Sequence, residues 1–226
     1  MTTGNLIPGK TYFANIKQKT FGTGFLDDAC KEFYLLRLLN CQNAFHVQLH
    51  AYLLMEKQIF LLLTPLTPKG LSSYCRFLNR SYSRYYKVRF SRVAQVWKDA
   101  PTVCLLPSDN LILDCQKFVE RYVLGFNNTR HPGEYRYSSY CANAFTHKPR
   151  YLKQQRAVRC FVENDSNGLE RYREFIATPF REEYERFLHS RLLSGRPLLR
   201  QKLAFGLESN SSLTDIEKSG TIATIT

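Results

Sequence analysis

Side chains able to hold a metal, attack an electrophile or grip an anion are unevenly spread along this chain of 226 residues. His46 and His50 lie four apart in a β-prone run, so their side chains share a face, but a straight strand spaces them too widely for one metal. Cys30, Cys41, Cys75, Cys104, Cys115, Cys141 and Cys160 are scattered, odd in number and without a C-x-x-C pair. That excludes a zinc ribbon or a disulfide frame and reads as small buried thiols of a reducing compartment. No P-loop, dinucleotide-binding glycine pattern, Ser/His/Asp order or paired-carboxylate motif occurs. The strongest chemical signal is cationic. Arg76, Arg80 and Arg84 recur at helical steps, Lys87, Arg89, Arg92 and Lys98 follow, and no acidic residue stands between Glu56 and Asp99. Like charges one helical turn apart repel, so solvated faces normally mix signs. A bound phosphate backbone explains such a face better than solvation, and the planar guanidinium fork suits phosphate oxygens and base stacking. A second basic run over 145–159 holds Lys148, Arg150 and Lys153.

The formal charge of +13 points the same way, to a polyanionic partner. With 44% hydrophobic residues the chain can bury one sizeable core, while no apolar run approaches a membrane span. The first residues lack a basic and apolar leader pattern. Together with the reduced cysteines this predicts a cytoplasmic, monomeric protein without membrane contact.

The elements that must position these residues centre on L-H-A-Y-L-L-M-E-K-Q-I-F-L-L-L, residues 49–63. Two short apolar runs, 52–55 and 59–63, flank a polar trio and read as a hairpin of strands covered on both faces. Residues 11–18 read as a first strand, and Asp27 and Asp28 as the start of a helix over 29–40. In 71–89 Leu71, Tyr74, Leu78, Tyr82 and Tyr85 form a buried helical stripe, with the arginines on another face. A strand or two is expected within 93–106 around Trp97, and Ser108 and Asp109 begin a helix reaching about 125. Two amphipathic helices are expected over 169–176 and 180–193. The Ser- and Thr-rich tail past 207 has no apolar periodicity and reads as disordered. This pattern predicts an α+β sandwich, an antiparallel sheet centred on the hairpin with helices on one face.

The hairpin is also where the chain resembles a known family. H-A-Y-L-L-M-E-K-Q-I-F-L-L-L, from His50 to Leu63, is similar to the H-A-Y-x-L-M-P-N-H-x-H-L-L-L of the REP-associated tyrosine transposases, within the HUH single-strand DNA transposases. L-N-R-S-Y-S-R-Y-Y-K-V-R-F-S-R-V-A-Q-V-W, from Leu78 to Trp97, resembles that family's next segment. The stretch from Asp109 to the Y-S-S-Y ending at Tyr140 resembles its nucleophile helix and the P-W-S-S-Y segment after it. The likeness runs from about Pro8 to Phe205, though Lys98 to Thr102 departs from the family's Q-G-R-x-K.

The resemblance implies a ferredoxin-like HUH sandwich over 8–145, a basic segment and helical extension over 146–207, and the tail 208–226. It implies single-stranded or hairpin DNA as partner. In the family, two histidines hold Mg²⁺ or Mn²⁺ and a tyrosine attacks the phosphorus. Those registers here hold Gln58, Phe60 and Phe118, which lack the imidazole lone pairs and the ionisable oxygen that such chemistry needs. His50 matches a family position outside the metal pair. Cys115, one turn before Phe118, has no activating histidine nearby in sequence and reads as buried. Tyr122 stands one turn past Phe118 and is the possible substitute nucleophile. The expectation is a transposase-like DNA-binding protein without catalysis, cofactor or metal. The alternatives are an active strand transferase with relocated residues, an RNA-binding module, a protein-interaction scaffold, or a decaying copy without function.

Overall fold

Strand β1 (Thr11–Lys17) is an alternating strand both of whose faces are covered. Tyr12, Ala14 and Ile16 enter one core and Phe13 the other, as the two-residue period of a strand requires. The computed structural model describes residues 6–19, 24–92, 95–98, 100–126, 128–146, 150–163 and 167–198. Among them are four strands in one antiparallel sheet and seven α-helices, a mixed α/β architecture. The expected disordered tail lies outside the described residues. No described helix is long and apolar enough to cross a membrane.

The hairpin pairs β2 (Val47–Leu54) with β3 (Gln58–Pro65) as expected. It is not the centre of the sheet. The strand order is β2-β3-β1-β4, so β3 and β1 are central, β4 (Thr102–Leu106) is one edge and β2 the other. What made β2 read as central is its apolarity, and the reason for that lies in how its outer edge is covered. Leu54 N–H donates to the Tyr137 carbonyl at 2.9 Å, Ser139 N–H to Tyr52 at 3.0 Å, and Lys153 N–H to Leu49 at 2.8 Å. Loop segments thus occupy the donors and acceptors that an edge strand leaves open.

The strand also starts later than the sequence suggested. Asn43–Phe45 forms a 3₁₀ turn ended by His46 in the left-handed region, which removes His46 from the strand. His50 sits at a bulge between Leu49 and Ala51. Its ring contacts the Thr64 hydroxyl at 2.8 Å and the Lys153 carbonyl, and burial pushes its pKa down to about 4. Of the strand or two expected over 93–106, β4 is one, and among the described residues around Trp97 there is a single bridge to Gln18.

Helices cover both faces, not one. On the first face, α1 (Asp28–Asn40) and α2 (Gly70–Phe90) bury Tyr34, Leu38, Tyr74, Leu78 and Tyr82 against Tyr12, Ile59 and Leu61. Asp27 caps α1 by accepting from the Cys30 N–H at 2.9 Å. On the second face, α3 (Asp109–Arg121) and α7 (Glu182–Ser194) cover Phe13, Leu53, Phe60 and Leu62. The hairpin dictates this: neighbouring residues of β2 and β3 are apolar, so each strand needs two dry neighbours.

Helices α4 (Tyr140–Phe145), α5 (Arg156–Glu163) and α6 (Gly168–Ala177) build a third cluster with Leu113 of α3. A buried carboxylate ties it to the sheet. Glu120, 0% exposed, accepts from Ser139 Oγ at 3.0 Å, Asn143 Nδ2 at 2.7 Å and Tyr172 Oη at 2.8 Å. Burial outweighs these three donors and pushes its pKa up to about 7.

Candidate functional site

On β3 the two-residue period puts Gln58 and Phe60 on the same face, the one under α3. Phe118 and Tyr122, one helical turn apart, sit above them. Phe60 is 0% and Phe118 3% exposed, with ring centroids 5.9 Å apart, and Phe13 adds a third ring 5.2 Å from Phe60. The three positions singled out by resemblance therefore do meet, across a strand and a helix. What they form is a closed aromatic cluster. Gln58 Nε2 donates to the Tyr122 hydroxyl at 3.3 Å.

These residues do not fit the divalent cation that the resemblance implies. Phe60 offers no lone pair, and the Gln58 amide nitrogen is turned toward Tyr122. Asn15, in register with Phe60 and 1% exposed, adds one amide, neither atom of which is hydrogen-bonded among the described residues. Even with water filling most of its positions, Mg²⁺ or Mn²⁺ needs an imidazole or carboxylate to hold it, and this group has neither. Among the described residues no three His, Cys, Asp or Glu side chains cluster. Cys115, fully buried beneath Phe118, has its thiol pKa pushed well up by burial. It is no nucleophile in that state.

Tyr122 has a neighbour that sequence reasoning missed. His189, on α7 and exposed, places Nε2 3.4 Å from the Tyr122 hydroxyl, with the two rings 6.0 Å apart and 8° from parallel. The two residues are 67 positions apart, so no local pattern could announce the pair. On the other side of Tyr122 the Phe126 ring stacks at 5.3 Å and 29°. Phe126 is 48% exposed and borders two clefts. One, of about 450 Å³, is lined also by Gln58, Lys57, Lys31, Glu56 and Tyr135. The second, of about 410 Å³, is lined also by Arg121 and Glu185.

The basic residues divide into groups. At roughly 100° per residue, Arg76, Arg80, Arg84 and Lys87 fall in one stripe opposite the buried side of α2. All four are exposed, and none is in an ion pair among the described residues. Arg89 turns to the other side. It is paired with Asp27 at 2.6 Å and donates to the Tyr85 hydroxyl at 2.7 Å, so it ties α2 to the start of α1. Arg92 and Lys98 are exposed in the connection beyond α2. Arg150 is exposed beside the Tyr151 ring, and Lys153 is exposed while its backbone closes the β2 edge. Lys148 lies outside the described residues. The α2 stripe and the Phe60–Phe118 cluster lie on opposite faces of the sheet, since α2 packs in the first core and α3 in the second.

No family model matches the chain, and no curated protein matches it. Among solved structures it is similar to one described as a REP-associated tyrosine transposase bound to a REP hairpin. The match has a TM-score of 0.51 at 9% identity and covers 59% of this chain and 78% of that one. At that identity the likeness is one of fold.

Proposed function

We propose that this protein binds nucleic acid through the solvent face of α2 and carries out no strand transfer. One observation carries the reading: Arg76, Arg80, Arg84 and Lys87 share an exposed stripe without an acidic partner among the described residues. A stripe of like charge lowers its own repulsion when phosphates neutralise it. The fold likeness to a transposase whose structure holds a hairpin supports the HUH reading of the sandwich, and makes hairpin or single-stranded DNA the expected partner. The lack of chemistry rests on Gln58, Phe60 and Phe118, which stand at the registers of the family's metal pair and nucleophile and offer neither an imidazole nor a hydroxyl.

The test is affinity for single-stranded DNA across a salt series, for the native chain and for Arg80→Gln with Arg84→Gln. Each lost phosphate contact lowers the slope of log affinity against log salt by ~0.7, so the pair should lower it by ~1.4. An unchanged slope would reduce the stripe to a solvated face.

The contact of Tyr122 with His189 favours a second reading, strand transfer by a relocated tyrosine with the imidazole as proton acceptor. A covalent protein–DNA band that disappears in Tyr122→Phe would establish it. Our reading predicts no band, with Mg²⁺ or Mn²⁺ supplied.

A further inference from the structure

Phe126, Tyr122 and His189 form a ladder of rings at the protein surface. The steps are 5.3 Å at 29° and 6.0 Å at 8°, so the planes are close to parallel. The middle ring is anchored: its hydroxyl contacts Gln58 Nε2 at 3.3 Å and His189 Nε2 at 3.4 Å, and its edge meets Phe60 at 4.7 Å. The ladder is therefore held in place before any ligand arrives, which lowers the ordering cost of binding. Its end ring is half exposed and lines the cleft of about 450 Å³. That volume suits a single planar ligand. Lys57 and Glu56 also line the cleft, as does Lys31, whose ammonium lies 3.4 Å from the Asp28 carboxylate, so Lys57 is the cation left to face a ligand. Gln58, having donated to Tyr122, keeps its carbonyl oxygen as an acceptor.

We infer that this cleft takes one unpaired base of a single strand, stacked on the free face of Phe126, with its phosphate toward Lys57. The inference rests on the nucleic-acid-binding reading above and adds to it a second contact, beside the β2–β3 turn. Stacking is tolerant of sequence because every base has a π face, while a base inside a duplex is covered on both sides and cannot reach a ring in a cleft wall. The ladder thus selects for single strands where the α2 stripe reads only charge.

The experiment uses the full chain and a single strand of about 12 nucleotides carrying 2-aminopurine, whose fluorescence falls when it stacks on an aromatic ring. A duplex of the same sequence serves as the second probe. Native protein should quench the probe. Phe126→Ala should abolish the quenching and lower single-strand affinity by roughly 5- to 100-fold, leaving duplex affinity unchanged. Phe126 is half exposed, so the variant folds, which circular dichroism checks. Phe126→Leu keeps an apolar side chain without a π face and should lose both readouts as Phe126→Ala does. If it quenches and binds like the native chain, stacking is wrong. If Phe126→Ala quenches and binds like the native chain while Arg80→Gln with Arg84→Gln flattens the salt slope, the ladder proposal falls and the α2 reading stands. If the α2 pair has no effect while Phe126→Ala abolishes binding, the reverse holds. Absence of binding to either probe overturns both.

Discussion

Glu120 and His50 oppose each other in how they tie stability to pH, and removing either exposes the other. Both are buried, at 0% and 2% exposed, so solvent screens neither. Burial raises Glu120 from its ordinary 4.5 to about 7, so between those values the folded chain holds a proton that the unfolded chain has released. Its contribution is fully present below pH 4.5 and is lost as pH rises to about 7, at 1.4 kcal/mol per pH unit or about 3 kcal/mol in all. His50 is lowered from 6.5 to about 4, so the unfolded chain binds the extra proton and stability rises by about 3 kcal/mol over that interval. In the native protein the two slopes nearly cancel between pH 4.5 and 6.5. Glu120→Gln removes one of them. Urea unfolding of both proteins across this range gives a difference in which all other titrations drop out. Stability of native over variant should shrink by about 3 kcal/mol from pH 4.5 to about 7 and be flat above. A difference that stays constant over the range would refute the reasoning, because Glu120 would then titrate alike in the folded and unfolded chains.

Two further predictions concern the sheet. Phe60→His places a polar ring among Phe13, Phe118 and Tyr122 with only the Asn15 amide in register to bond it, and should cost about 2–4 kcal/mol by urea midpoint; unchanged stability would mean the cluster is looser than its geometry. Gly24→Ala puts a Cβ 1.8 Å from the Glu56 carbonyl oxygen at a positive φ of +59°, whereas at Gly9, φ +77°, nothing lies within 4 Å. Gly9→Ala should cost about 1 kcal/mol from backbone strain alone, and Gly24→Ala clearly more; equal melting temperatures for the two would rule out the clash.

How much of this was legible in the sequence depends on the range of the interaction. The buried side of α2 was legible because Leu71, Tyr74, Leu78 and Tyr82 repeat at the helical period and all are buried; Tyr85, expected with them, is only partly buried, and Tyr86 takes the buried place. Arg89 looked like a member of the cationic face, but a partner 62 residues away, Asp27, fixes its direction. The hairpin was legible from apolar runs long enough for two dry faces. The order of strands was not, since nothing in β2 distinguishes a central neighbour from a loop that satisfies the same backbone groups. The meeting of Gln58 and Phe60 with Phe118 was reached through the family register. Spacing alone does not say which face of α3 turns toward β3. His189 carried no signal, because an exposed histidine on an amphipathic helix looks like any solvated residue until the fold brings Tyr122 beside it.

The loop cover on the outer edge of β2 has a consequence for synthesis. His50 and the Lys153 that helps close this edge are 103 residues apart. At about 5–20 residues per second, the ribosome needs roughly 5–20 s to add that length. For most of that interval the nascent β2–β3 hairpin can form locally while much of its outer row lacks its final cover: Gln42 meets the Leu49 amide, but Tyr137 and Ser139 come late and Lys153 last. Such an edge, flanked by Leu49, Leu53 and Leu54, is a template for pairing with a neighbouring nascent chain. Chaperone demand should therefore peak after the hairpin leaves the exit tunnel and end once residue 153 has emerged. Chains halted before residue 150 should aggregate even though every residue of the sheet has been made.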